Sequence, residues 1–295
     1  MAKTGKRSIH DRNDARYLKD LDSMHVMMPF IMPKRTANEA VLGQIVDITA
    51  VNEYLERKNA GSPDFKYTWF HVIVAALSKT IALRPKMNWF VKAGRYYERK
   101  DIEVSFVVRR QLKADSEEAL AKFVLDRDGG SVVEQVHSFV RDFVTKVRVN
   151  NELEGTTSKM NILKKLPHFV LTIVFAVLDL LDHFGIYPNA LKVDDPRFTS
   201  VFVSNLGSIK MNADYHHLYE KGTVSFFAVI NERKLRPFYQ PDGSVTMRDT
   251  LKIGMTIDER IADGYYFAKS LKLFEHLLQH PDLLDLPAMQ PVDFE

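Results

Sequence analysis

Apolar positions recur along this chain with two periods. Phe70, Ile73, Val74, Leu77 and Ile81 fall at three- and four-residue spacing, which predicts a helix over residues 68–83, closed by Pro85. Comparable patterns predict helices over residues 50–58, 131–149, 166–184 and 261–279, the 166–184 helix ending at Gly185 and the last at Pro281. A short helix is expected over residues 15–22. Asp115-Ser116-Glu117-Glu118 reads as another helix start, because acidic residues favour the positive end of a helix. Alternating or β-branched stretches predict strands over residues 41–49, 88–91, 95–99, 102–109, 198–204, 223–231 and 245–256. Pro241-Asp242-Gly243 marks a turn before the last of these. Strands and helices mix without strict alternation, so the expected class is an α/β layer fold on a mixed sheet.

Composition narrows the chemistry. The 295 residues are 45% hydrophobic and 27% charged, as in an ordinary soluble protein. The balance of 41 basic against 38 acidic residues, +3, together with the lack of a long basic block, gives no footprint for nucleic acid. There is no cysteine, which rules out disulfides, zinc–thiolate sites and a cysteine nucleophile. Residues 1–20 are charged and resemble neither a signal peptide nor an anchor. The most apolar stretch, residues 169–181, is shorter than the ~20 residues that span a bilayer, so it is expected to be a buried helix rather than a membrane contact. A cytoplasmic location follows by default. Residues 1–35 are expected to form an arm packing on one domain of residues 36–295.

Several motifs lie in a telling order. Gln44-Ile45-Val46-Asp47-Ile48-Thr49 closes an early strand. Pro85-Lys86-Met87-Asn88 leaves the long helix, and Asp101-Ile102-Glu103-Val104 opens the next strand. Phe202-Val203-Ser204-Asn205-Leu206-Gly207 carries a serine at a strand end. Asp258-Glu259-Arg260-Ile261-Ala262-Asp263-Gly264 forms a tight turn before the last helix. This series resembles the catalytic domain of the dihydrolipoamide acyltransferases of 2-oxoacid dehydrogenase complexes, and the similar chloramphenicol acetyltransferases. The family motif is a histidine, three residues, then aspartate-glycine; Glu259 stands at the histidine position and Asp263 at the aspartate.

The resemblance implies a chloramphenicol acetyltransferase-like two-layer fold and a homotrimer with a channel at each subunit interface. It implies transfer of an acyl group between coenzyme A and a thiol, hydroxyl or amine acceptor. Ser204 would stabilise the oxyanion and meet the Glu259 turn of a neighbouring subunit. Asp263 would hold the turn through an ion pair with an arm arginine, Arg16 or Arg35. No metal and no covalently bound lipoyl group are expected, and the residues before the first match are too few for a lipoyl or subunit-binding domain. The residues that would bind coenzyme A are not picked out by the sequence.

Glutamate is a poor substitute for histidine here. A thiol near ~8.5 gives its proton to histidine, near ~6.5, about 3 kcal/mol uphill, but to an ordinary glutamate, near ~4.3, about 6 kcal/mol uphill. The exchange alone slows a proton transfer about a hundredfold unless burial raises the carboxyl. An inward-pointing Arg260 would oppose such a rise. His216 and His217, on the connection after Ser204, are alternative bases, since histidine titrates near neutrality. The other class of function is a trimeric pseudoenzyme that keeps the fold as a binding or assembly module. Taken without the resemblance, Ser204 reads as a strand-end hydroxyl bonded to backbone. His71 reads as a packed or surface helix residue, and His276 with His280 as a solvated helix face lacking further metal ligands.

Overall fold

The computed structural model describes residues 10–109, 118–148, 163–192 and 195–294. Its strands are β1 (Ala15–Tyr17), β2 (Glu39–Asp47), β3 (Trp89–Lys92), β4 (Arg95–Arg99), β5 (Ile102–Arg109), β6 (Glu118–Leu125), β7 (Val201–Asn205), β8 (Phe226–Tyr239) and β9 (Val245–Asp258). Its helices are α1 (Ser23–Ile31), α2 (Thr49–Asn59), α3 (Trp69–Leu83), α4 (Val132–Arg148), α5 (His168–His183), α6 (Asn189–Lys192) and α7 (Gly264–Gln279).

Six strands form one mixed sheet in the order β2-β9-β8-β7-β5-β6, and β1-β4-β3 form a small second sheet. β7 runs parallel to both β5 and β8, and the other pairs of the large sheet are antiparallel. Side chains alternate across a strand, and this sorts β7 and β8 between two environments. Val201, Val203, Phe226, Ala228 and Ile230 join α2, α3, α4 and α7 in the main core. Phe202, Phe227 and Val229 face the other way and pack with Leu218 and Val224 under the long β7–β8 connection. The mixed-sheet α/β class expected from the pattern is the class observed.

Three expectations change. Residues 15–17 are a strand, because Ala15 is buried and the segment pairs with β4, and the helix of the arm begins only at Ser23. Asp115, Ser116 and Glu117 lie outside the described residues, but Glu118 opens a strand rather than a helix. Ala119, Ala121, Phe123 and Leu125 point inward at period two, and β5 supplies the ladder. The helix over residues 166–184 exists as α5, ended by Gly185 at φ +74°. In the single chain it is not buried: Phe169, Ile173, Val177 and Leu180 are exposed, and Asp182 is its one buried residue.

The arm is tied down by charge. Arg12, 1% exposed, donates to the Asp182 carboxylate at 2.6 Å and to the Asp182 carbonyl at 2.6 Å, and Lys92 pairs with the same carboxylate at 2.5 Å. These cations hold the Asp182 carboxyl below its usual range against the opposing effect of burial. Among the described residues no helix is long and apolar enough to cross a membrane.

Candidate functional site

Ser204 sits near the C-terminal end of β7, on the face away from the main helices. Among the described residues its hydroxyl makes no hydrogen bond, so it does not serve as the backbone-bonded strand end that serine often provides. The chain then turns sharply through Leu206–Ile209. Gly207 is required there, because a Cβ at that position would lie 2.6 Å from the Asn231 carbonyl.

The connection that follows is fixed over the sheet by several bonds. The Ala213 amide donates to the Asn231 side chain at 2.6 Å, Lys252 pairs with Asp214, and the Leu218 amide donates to the Glu39 carboxylate at 2.6 Å. Gly254 on β9 lets the loop lie this close, since a Cβ there would fall 2.1 Å from the Asp214 carbonyl. The result places the His216 ring flat on Phe227, with centroids 4.2 Å apart and planes at 8°. Phe202 pairs with Phe227 and Ser204 with Val229. Ser204 and Phe227 are therefore diagonal neighbours on one face, roughly 7–8 Å apart, and the imidazole lies over Phe227 on that face.

The His216 tautomer follows from its partner. Nδ1 lies 2.8 Å from the His217 carbonyl oxygen, which can only accept. In the neutral ring the proton therefore sits on Nδ1 and the lone pair on Nε2, the tautomer a general base acting through Nε2 requires. His217 supplies that carbonyl, and its exposed ring lies 4.8 Å from that of His216.

Ser204 and His216 line one cavity of about 550 Å³. Its walls also carry Phe65, Phe70, Phe106, Phe202 and Phe227, and Arg109 and Arg148 border it. His71 lines it too, as the third helical residue after Thr68. Its Nδ1 accepts from the Thr68 amide at 2.9 Å, so the neutral ring carries its proton on Nε2, which is buried with no partner. Burial, assisted by nearby His137, pushes the His71 pKa down to about 4. The sequence left His71 as a packed or surface residue and gave no sign that a cavity meets it; it is buried.

The Glu259 turn lies elsewhere. Ile257 on β9 pairs with Phe226, whereas Ser204 pairs with Val229 on the same strand β8. Glu259 thus sits about five residues and two strands from Ser204, about 20 Å at ordinary strand spacings. Its side chain is exposed in the single chain. Arg260 points inward, but toward Asp258: Nε and Nη2 each donate to a different Asp258 oxygen at 2.7 Å, and Nη1 donates to the Met32 and Pro33 carbonyls.

The expected ion pair between an arm arginine and Asp263 is corrected. Arg35 approaches Asp258, at 3.7 Å, and donates to the Tyr219 and Gly222 carbonyls. Arg16 pairs with Glu98. Asp263 caps α7, accepting the Tyr266 amide at 2.7 Å, and among the described residues it makes no ion pair. The reason is geometric: Asp258 is the last, fully buried residue of β9, while Asp263 lies beyond the 3₁₀ turn at the start of a helix. His276 and His280 stand with ring centroids 4.5 Å apart, and among the described residues no group of three or more metal-binding side chains gathers.

No protein-family model matches the chain, and no curated protein does. Solved structures do. A probable dihydrolipoamide acetyltransferase from Listeria monocytogenes matches with a TM-score of 0.58 and 13% identity, over 89% of this chain and 94% of that one. The dihydrolipoamide acetyltransferase of Azotobacter vinelandii, studied for the catalytic role of a serine, a histidine and an asparagine, matches at 0.57 and 15%, over 92% and 95%. A chloramphenicol acetyltransferase matches at 0.54 and 12%, over 90% and 98%. The fold is that of the chloramphenicol acetyltransferase-like acyltransferases.

Proposed function

We propose, from the premise of that fold, that this protein is a coenzyme A-dependent acyltransferase whose reaction centre is Ser204 with His216. The observation that supports it most is the cavity they share: it is lined by a hydroxyl without a hydrogen bond among the described residues and by an imidazole whose Nδ1 faces a carbonyl, beside several aromatic rings. The acceptor nucleophile attacks the thioester carbonyl while His216 takes its proton. The Ser204 hydroxyl donates to the oxyanion as charge builds on it. Collapse of the intermediate breaks the carbon–sulfur bond, and the departing coenzyme A thiolate recovers the proton.

Glu259 has no place in that centre within one chain. A homotrimer would carry the Glu259 turn of one subunit toward Ser204 of the next, and burial at that interface is the change able to raise its carboxyl. The one-domain organisation, with residues 1–35 as its arm, belongs to the same proposal.

The test follows free coenzyme A by chromatography during incubation of acyl-coenzyme A donors, from acetyl to octanoyl, with a panel of thiol, hydroxyl and amine acceptors. Ser204→Ala is expected to lower turnover about 10²–10³-fold, as loss of an oxyanion donor does. His216→Ala should lower it comparably, whereas Glu259→Gln should do so only if the interface glutamate is the base. A wild-type protein that binds coenzyme A yet releases none above background with every acceptor would sink the enzyme and leave the binding-module reading standing.

A further inference from the structure

β5 and β7 part company beside Ser204. Their ladder runs Val104↔Val201, Ser105↔Phe202 and Phe106↔Val203, and ends there. Both strands continue, β5 to Arg109 and β7 to Asn205, so the sheet is open between them for the last residues of each. The cavity uses this opening. On the Ser204 face its walls are Phe202, His216 and Phe227; on the helix face they are Phe65, Phe70, Phe106, Val140 and Val144. One cavity is thus lined by residues from both faces of the sheet beside this gap.

We propose that this passage is an acyl-chain tunnel, and that the donor carries an apolar chain of medium length rather than an acetyl group. This rests on the reading of Ser204 and His216 as the reaction centre. With the thioester carbonyl beside Ser204, a chain leaving it has one dry direction to follow, through the gap between β5 and β7 into the chamber under α3 and α4. The volume of about 550 Å³ belongs to a drug-sized ligand and far exceeds what two carbons occupy. One part of the wall is apolar, formed by Phe65, Phe70, Phe106, Val140 and Val144 with His71 held neutral by its burial, while the charged lining residues are Arg109, Glu118 and Arg148. Half-buried Arg109 and exposed Arg148 line the space at the ends of β5 and α4, where the polar portion of a thioester donor would remain in water.

The experiment is calorimetric titration of the full chain with coenzyme A and with unreactive thioether analogues of acetyl-, butyryl-, hexanoyl- and octanoyl-coenzyme A. Affinity is expected to rise about fourfold for each methylene that enters the chamber. Val144→Phe, which fills the half-buried α4 side of the chamber, should return the ratio of octanoyl to acetyl affinity toward one. A flat series, with coenzyme A itself binding, overturns the tunnel and leaves the acyltransferase reading intact. An octanoyl advantage that Val144→Phe does not touch also overturns it, since the tail then lies elsewhere. Binding of no coenzyme A compound at all removes the acyltransferase reading, and the tunnel with it.

Discussion

Asp258, rather than Asp263, is the acidic residue on which the turn depends, and the two can be set against each other. Asp258 has no exposed surface, and its partners Arg35 and Arg260 are 5% and 4% exposed. Replacing Asp258 with alanine leaves two buried guanidinium groups facing one another with only backbone carbonyls as partners. Removing one partner of a buried ion pair typically costs about 3–5 kcal/mol, a large share of the ~5–15 kcal/mol that holds a folded protein together. Asp263→Ala removes one helix cap at an exposed site, a loss of about 1 kcal/mol. Asp258→Asn keeps the shape and the hydrogen-bonding oxygen but not the charge, and should fall between. The assay is urea unfolding followed by circular dichroism at neutral pH, with the midpoint shifts converted through a shared slope. Should Asp263→Ala prove as damaging as Asp258→Ala, or Asp258→Ala cost less than about 1 kcal/mol, the assignment of the buried charge cluster would be wrong.

Gly254→Ala forces backbone apart where the loop carrying His216 crosses β9; overpacking of that kind costs about 1–3 kcal/mol, and acyl transfer should drop at least tenfold once the imidazole leaves Phe227. Stability should fall with acidification because of His71: its pKa is lowered from 6.5 to about 4 in the folded chain. The unfolded state binds the extra proton between those values, so the His71 contribution is full above 6.5 and is lost as pH falls from 6.5 toward 4, about 2 kcal/mol by pH 5. His71→Gln should flatten that part of the urea-midpoint profile. The proposed homotrimer predicts a mass near 3 × 34.0 = 102 kDa by sedimentation equilibrium, and a 34.0 kDa species at micromolar concentration would contradict it.

Long periodic segments were legible in the sequence because their signal is redundant. α3 shows five apolar positions at helical spacing, and β5 and β9 carry β-branched residues at four of eight and six of fourteen positions, enough to mark them as strands. The misread segments are those where local and long-range preferences disagree. Residues 118–125 are rich in Glu, Ala, Leu and Lys, good helix formers, yet pairing with β5 holds them extended, as tertiary context often overrides propensity. Ala15–Tyr17 is too short to display a period and is a strand only because β4 is beside it. At the site, Ser204 stood out through the resemblance carried by its strand end, and the His216–His217 pair by residue type. The cavity joining Ser204 to His216 did not, because Phe65, Phe106 and Val144 come from distant segments with ordinary core spacing. Asp258 was passed over for Asp263 because burial, not identity, separates the two carboxylates.

The place of β2 at the sheet edge has a consequence for how the chain comes off the ribosome. Its ladder partner is β9, with Asp47 opposite Thr250 and Glu39 opposite Asp258. Roughly 200 residues are made between the two, which at about 5–20 residues per second takes about 10–40 s. For that interval β2 is a finished strand with no mate, while β3, β4 and β5 beside it in sequence can already pair among themselves or with their near neighbours. The sheet is therefore completed by its most widely separated pair, a closure of high contact order that slows folding. A nascent chain stalled before residue 250 would present an open strand edge to anything nearby, which makes this interval of synthesis the time when a chaperone matters most to this protein.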